Sequence, residues 1–253
     1  MHRRHTVRCG AIMNHLAADL SARDDAGNTY EACDIRIPPI GLAGTVHVPK
    51  EAYALVAFAH GSGSSRLSPR NMAVAGALNA RGIATLLFDL LTLEEEADRG
   101  NVFDISLLAD RLVDAVRWLQ RQPSVAELPL GLFGASTGAA AALVAAARLP
   151  RRIHAVVSRG GRPDLAGDAL ELVRAPTLLI VGGADLGVIE LNKRALEQMR
   201  APKAMEIVPG ASHLFPEPGA LEAVIGLAAR WFERHLRPRR EPIRMDRAGK
   251  SRP

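Results

Sequence analysis

The chain has 253 residues, 48% of them hydrophobic, with 32 Lys and Arg against 27 Asp and Glu, a net charge of +5. That length can bury the core of one complete domain, and no run approaches the roughly 18 uninterrupted apolar residues of a membrane span. The excess charge sits in residues 237–253, where seven Lys or Arg face Glu241 and Asp246 to give +5, so residues 1–236 sum to zero and the composition points to neither a nucleic-acid nor a membrane partner.

Residues 1–29 show no apolar periodicity and are expected to form a disordered arm. The stretch from Cys9 to Leu20 is broken by Asn14, His15 and Asp19 and lacks a leader-like hydrophobic run, which predicts a cytoplasmic protein. Two cysteines, Cys9 and Cys33, are too few for a disulfide framework and are expected to be bystanders. Residues 31–37 and 42–48 read as an antiparallel hairpin at a sheet edge, a position that leaves room for a homodimer. A strand over 53–59 follows and ends in His60-Gly61-Ser62-Gly63-Ser64-Ser65. Glycines there let the backbone turn its amides inward, whereas Ser64 and Ser65 read as plain loop residues.

Ser68-Pro69 predicts a helix start with proline in the first turn, where its missing N–H costs nothing, and Gly82 closes that helix. Residues 83–89 read as the next strand. Apolar residues at Ile105, Leu108, Leu112, Val113, Val116 and Leu119 predict one helix over 102–121. Then comes an apolar strand from Leu130, the pentapeptide Gly134-Ala135-Ser136-Thr137-Gly138, and an alanine-rich helix. This order fits a nucleophile elbow, in which a serine occupies a strained strand-to-helix turn and small residues two positions either side let the turn pack. The helix N-terminus then aims free N–H groups at charge developing near Ser136.

Downstream, residues 153–158 form a buried strand that leads into Ser158-Arg159-Gly160-Gly161. A second strand starts at Ala175-Pro176 and delivers Asp185 through a Gly-Gly turn; a third starts at Ala204 and delivers His213 through Pro209-Gly210. Helices are predicted over 188–200 and 217–235. The separations, 49 residues from Ser136 to Asp185 and 28 from Asp185 to His213, suit neighbouring parallel strands. The order Ser, Asp, His with each residue on a loop after a strand is that of an acyl-transfer triad, so Ser136, Asp185 and His213 are the candidate catalytic residues. The oxyanion donors are assigned to the N–H of Thr137 and the N–H of Ser62, with Gly61 and Gly63 as alternatives for the second.

Residues just beyond parallel strands face the ligand crevice, which draws attention to Asp89, Arg66 and Arg159, with Arg70 behind them. Arg159 reads either as a clamp for a substrate carboxylate or as a structural ion pair with Asp89, Asp164 or Asp168, the ion pair being favoured; Gly61 is the other candidate substrate contact. His60 is expected to support its loop rather than move a proton. No Cys-x-x-Cys, His-Glu-x-x-His or Gly-rich phosphate fingerprint occurs in the required context, so no cofactor or metal is expected.

The four motifs ending in Gly63, Gly138, Asp185 and His213 together resemble the α/β-hydrolase superfamily, and within it the dienelactone-hydrolase-like branch, over residues 35–236. The resemblance implies an α/β-hydrolase fold: a mostly parallel sheet with helices on both faces, an N-terminal antiparallel hairpin and little or no lid. It further implies a hydrolase domain over 30–236, between the arm 1–29 and a disordered basic tail 237–253, acting on a small-molecule ester or lactone. Dienelactone hydrolases proper are known for a cysteine nucleophile. The matching position here is Ser136, which favours a serine esterase over the dienelactone reaction. An acyltransferase or a non-catalytic binding protein on the same scaffold are the alternatives.

Overall fold

The computed structural model describes residues 20–23 and 29–238, and side chains from residue 32 onward. β1 (Leu20–Arg23), β2 (Thr29–Ile37) and β3 (Leu42–Pro49) run antiparallel. β1 corrects the expectation of an unstructured arm, since four of its residues pair with Thr29–Ala32 of β2; the other residues of 1–28 lie outside the described residues. The hairpin alternates as a half-buried sheet must: Cys33, Ile35 and Ile37 point inward while their neighbours face solvent. Cys33, expected as a bystander, is disulfide-bonded. Cys9 lies outside the described residues.

β4 (Ala54–Ala59) is buried along its whole length, as a central parallel strand should be. α1 (Pro69–Asn79) starts where Ser68-Pro69 predicts, with the Ser68 hydroxyl accepting from the Asn71 N–H, and β5 (Ile83–Phe88) follows Gly82. Next come two short helices, α2 (Leu93–Glu96) and α3 (Arg99–Phe103), then α4 (Ile105–Leu119). The predicted single helix over 102–121 is therefore broken at Asp104. Its extended backbone (φ −75°, ψ 90°) ends α3, and its carboxylate accepts the Leu107 N–H at 3.0 Å to open α4. Apolar periodicity cannot register such a break, because Val102 sits one helical repeat before Ile105.

β6 (Leu130–Ala135), α5 (Thr137–Arg148), β7 (Ile153–Arg159), a 3-10 turn (Pro163–Ala166), α6 (Ala169–Leu172), β8 (Thr177–Gly182), α7 (Leu186–Gln198), β9 (Lys203–Val208) and α8 (Ala220–Leu236) complete the described chain. The sheet order is β1-β2-β3-β5-β4-β6-β7-β8-β9, with β5, β4 and β6 to β9 parallel. The chain steps from β4 to β5 on one side and returns to β6 on the other, so the topology switches between the carboxyl ends of β4 and β6. A crevice opens there in sheets of this kind.

Two apolar layers hold the sheet. On one face α4 and α5 pack Leu108, Leu112, Val116 and the alanines 140–146 against Leu55, Leu86 and Leu132. On the other, α1 and α8 pack Val74, Leu78, Val224 and Phe232 against Val56, Phe58 and Phe133. Burying each large side chain contributes about 1.5–3 kcal/mol. The alanine content of α5 lets that helix lie close to β6, which matters because its N-terminus carries the elbow. The excursion after β5 consists of the two short helices α2 and α3 rather than a lid domain.

Candidate active site

Ser136 stands between the last residue of β6 and the first of α5 with φ 51° and ψ −123°, a backbone conformation that side-chain-bearing residues rarely adopt. Close approach explains the flanking glycines. A Cβ at Gly134 would collide with the Ala139 Cα, and one at Gly138 with the carbonyl oxygens of Ala59 and His60. The turn is also tied to its neighbour: the Ser136 N–H donates to the Arg159 carbonyl and the Arg162 N–H donates to the Ser136 carbonyl. Ser136 makes no side-chain capping bond to its own helix, which leaves its hydroxyl available.

The imidazole of His213 reaches that hydroxyl, with Nε2 and Oγ 3.4 Å apart, and its Nδ1 lies 2.7 Å from Asp185 Oδ2. The short carboxylate contact holds the proton on Nδ1 and leaves the Nε2 lone pair to accept from Ser136. A separation of 3.4 Å is at the long end for such a bond, as in many substrate-free sites. Asp185 ends the turn after β8. The His213 loop after β9 is fastened to that turn by Ala184 N–H to Ala211 carbonyl and Gly183 N–H to Val208 carbonyl bonds. Glu217 secures its other end by accepting the Ser212 N–H at 3.0 Å, and that bond pulls the Glu217 carboxyl pKa down. Three side chains from three loops thus meet at one rim of the sheet.

The two predicted oxyanion donors come out differently. Thr137 opens α5, with its N–H at the helix N-terminus beside Ser136. The Ser62 N–H is instead engaged: it donates to the Thr137 hydroxyl at 2.9 Å. Its assignment as a free donor is corrected to that extent, because the Thr137 side chain fills its acceptor position. Gly61 abuts Ser136, since a Cβ there would lie 2.9 Å from the Ser136 Cβ. His60 is buried and supports the loop: Nδ1 donates to the Gly61 carbonyl, and Nε2 accepts the Leu90 N–H at 3.0 Å. Burial pushes its pKa down. Ser64 and Ser65 belong to hydrogen-bonded turns, with Ser64 N–H on the Gly61 carbonyl and the Ser65 hydroxyl accepting from the Leu67 N–H.

The arginines also resolve. Asp89 takes both the N–H and the guanidinium of Arg66, at 2.8 and 2.7 Å. Asp164 is held by Arg162. Arg159 pairs with neither of them nor with Asp168, so the favoured ion-pair reading is overturned among the described residues. Only 6% exposed, it reaches the Asn71 side-chain oxygen at 3.4 Å, and its Nε and Nη1 have no hydrogen-bond partner. Desolvation and then the nearby Arg70 lower its pKa to about 10.

Sequence reasoning missed Asn71, Glu217 and the fully buried Asn192, whose amide donates to the Gly161 carbonyl at 3.0 Å behind the elbow. Asn192 carried a legible signal, a polar residue in helical step with Ile189 and Ala195 on the buried stripe of α7. A cleft of about 690 Å³ opens beside the Ser62 loop, lined among others by Ser62, Ser65, Leu67, Val102 and Phe103. Among the described residues no group of three His, Cys, Asp or Glu is arranged for a metal ion, and no helix is long and apolar enough to cross a membrane.

Comparison with known proteins agrees with this fold. The profile of the dienelactone hydrolase family matches residues 92–236. A crystal structure of a dienelactone hydrolase from Anabaena variabilis is 52% identical and superposes with a TM-score of 0.78 over 88% of this chain and 100% of its own. Est1E from Butyrivibrio proteoclasticus, at 17% identity and TM-score 0.67 over 79% of this chain and 98% of its own, shares the fold. A Mycobacterium tuberculosis protein provisionally named a phosphoribosyl transferase is 55% identical over 233 residues, 92% of this chain and 51% of the relative. The chain therefore spans about half the length of that curated relative.

Proposed function

Because the chain belongs to the dienelactone hydrolase family of α/β-hydrolases, we propose that it is a serine hydrolase that cleaves a carboxylic ester or lactone of a small molecule through an acyl-serine intermediate. His213 Nε2 takes the Ser136 proton as Oγ attacks the acyl carbon, and Asp185 orients the imidazole and stabilises its cationic form. The oxyanion receives the Thr137 N–H at the start of α5. It also competes with the Thr137 hydroxyl for the Ser62 N–H, so substrate binding requires that side chain to yield. Collapse breaks the acyl carbon–oxygen bond as His213 returns the proton to the leaving alcohol. Water then attacks the acyl-serine with His213 again as base, releasing acid and free Ser136.

The observation that carries this reading is the chain of contacts Ser136 Oγ to His213 Nε2 at 3.4 Å and His213 Nδ1 to Asp185 at 2.7 Å, at a serine in strained backbone geometry. The serine in place of the cysteine of dienelactone hydrolases proper supports ordinary ester hydrolysis over the dienelactone reaction itself. The phosphoribosyl transferase name belongs to a relative twice as long, and the hydrolase reading concerns the half that aligns.

The decisive test is Ser136→Ala assayed on a short p-nitrophenyl ester. Turnover should fall by about 10⁴-fold or more, the scale of losing a triad nucleophile, while the thermal midpoint stays at or above that of the wild type. A fluorophosphonate probe should label the wild type and not the variant. Undiminished turnover in Ser136→Ala would remove the assignment.

A further inference from the structure

Arg159 is a buried charge that contacts among the described residues leave unanswered. It is 94% buried by its 6% exposure, its Nε and Nη1 have no acceptor, and its single side-chain bond, to Asn71, is long at 3.4 Å. The carboxylates that could have answered it are committed elsewhere, Asp89 to Arg66 and Asp164 to Arg162. Its nearest charged influence is a second cation, Arg70, whose own Nε is buried without a partner and which makes no ion pair among the described residues. Burying an unpaired guanidinium beside another is costly. Folds keep such arrangements where a ligand supplies the missing charge.

Position argues the same way. β4 and β7 flank β6 on its two sides, and α1 follows β4. The Arg159 carbonyl accepts the Ser136 N–H at the end of β6, and its side chain reaches Asn71 in the first turn of α1. The cleft beside the Ser62 loop is bordered by Ser65, Ser68 and Pro69, so it opens at that same first turn. Pro69 carries no N–H and Ser68 takes those of Asn71 and Met72, so the Arg70 N–H is what this turn has to offer an anion.

Resting on the reading of Ser136 as nucleophile, we propose that Arg159, Arg70 and the first turn of α1 form a subsite for a doubly charged oxyanion, of the phosphomonoester class, carried on the ester substrate. Two guanidinium groups without a counter-ion, with the Arg70 N–H beside them, balance a dianion, whereas a single carboxylate answers one of them and leaves the other without a counter-charge. Guanidinium groups also match the arrangement of phosphate oxygens.

Two measurements test this separately from hydrolysis itself. Inorganic phosphate should raise the thermal midpoint of the wild type and shift neither Arg159→Met nor Arg70→Met, the latter removing a half-exposed side chain that the fold tolerates. Without phosphate, Arg159→Met should melt at or above the wild type, since an uncompensated charge has gone; an arginine with a merely structural role would lower it. In a matched series of p-nitrophenyl esters whose acyl arm ends in phosphate, carboxylate or a neutral group, the wild type should favour phosphate over neutral by about tenfold to a hundredfold in kcat/KM, as for one or two charge-assisted hydrogen bonds. The ratio should collapse in both variants. A wild type without phosphate stabilisation, a preference for carboxylate over phosphate, or a ratio preserved in Arg159→Met would each overturn the subsite. If no ester in the series is cleaved, the hydrolase reading fails, and the phosphate-dependent midpoints still decide the subsite.

Discussion

A methyl group added at Gly138 would run into the carbonyl oxygens of Ala59 and His60, where α5 lies against the end of β4. Neither carbonyl is the flexible end of a side chain, so the backbone itself must move. Gly138→Ala should cost about 1–3 kcal/mol, the range for overpacking, and should displace Ser136; urea midpoints together with loss of fluorophosphonate labelling would check both effects. His60, two residues before Ser62, makes a different prediction. Burial holds its folded pKa below the ordinary 6.5. Between 6.5 and that lower value the unfolded chain binds a proton that the folded chain refuses. Stability from this residue is thus complete above pH 6.5 and declines as the pH falls below it. His60→Gln, which cannot titrate, should flatten the dependence of the thermal midpoint between about pH 6.5 and 5; an unchanged slope would shift the acid sensitivity to His47, which burial depresses in the same sense.

At the scale of elements, the segment between β5 and α4 shows how local chemistry shapes the rim of the site. Thr92 and Glu95 form a reciprocal capping box that opens α2, and Asp98 opens α3 by accepting the Gly100 N–H. Asp104 then ends α3 and starts α4. These short helices bring Val102 and Phe103 to the cleft beside Ser62. Asp104→Ala removes the carboxylate that holds the Leu107 N–H and should cost about 1 kcal/mol, measured as a lower urea midpoint with unchanged slope. The capping residues were readable in the sequence as Thr-x-x-Glu and as two aspartates, Asp98 and Asp104, six residues apart. The apolar period running through Val102 and Ile105 overrode them, because periodicity reports which residues share a face and not whether the backbone between them stays helical.

For the whole molecule, the two apolar layers share one sheet and should unfold together. The two tryptophans sit one on each side: Trp118 in α4 within one layer, and Trp231 in α8 against the other, with its indole N–H on the Pro176 carbonyl. Trp118→Phe and Trp231→Phe each leave a single reporter. The two fluorescence transitions in urea, each compared with circular dichroism of the same variant, should coincide; separated transitions would mean that the layers are independent. What the amino-acid order determined by itself was whatever depends on near neighbours: the strand–serine–helix turn with its glycines, the strand-then-loop delivery of Asp185 and His213, the start of α1 at Ser68-Pro69. Each is written within about ten consecutive residues, and their order along the chain then implied one rim. The tertiary structure alone decided who partners whom across strands. It tied the Ser62 N–H to the Thr137 hydroxyl, gave Asp89 to Arg66 and left Arg159 without a counter-charge. Those pairings join residues 75 and 23 positions apart, and a polar group takes whichever partner the packed sheet brings within 3 Å or so, a choice that no local pattern encodes.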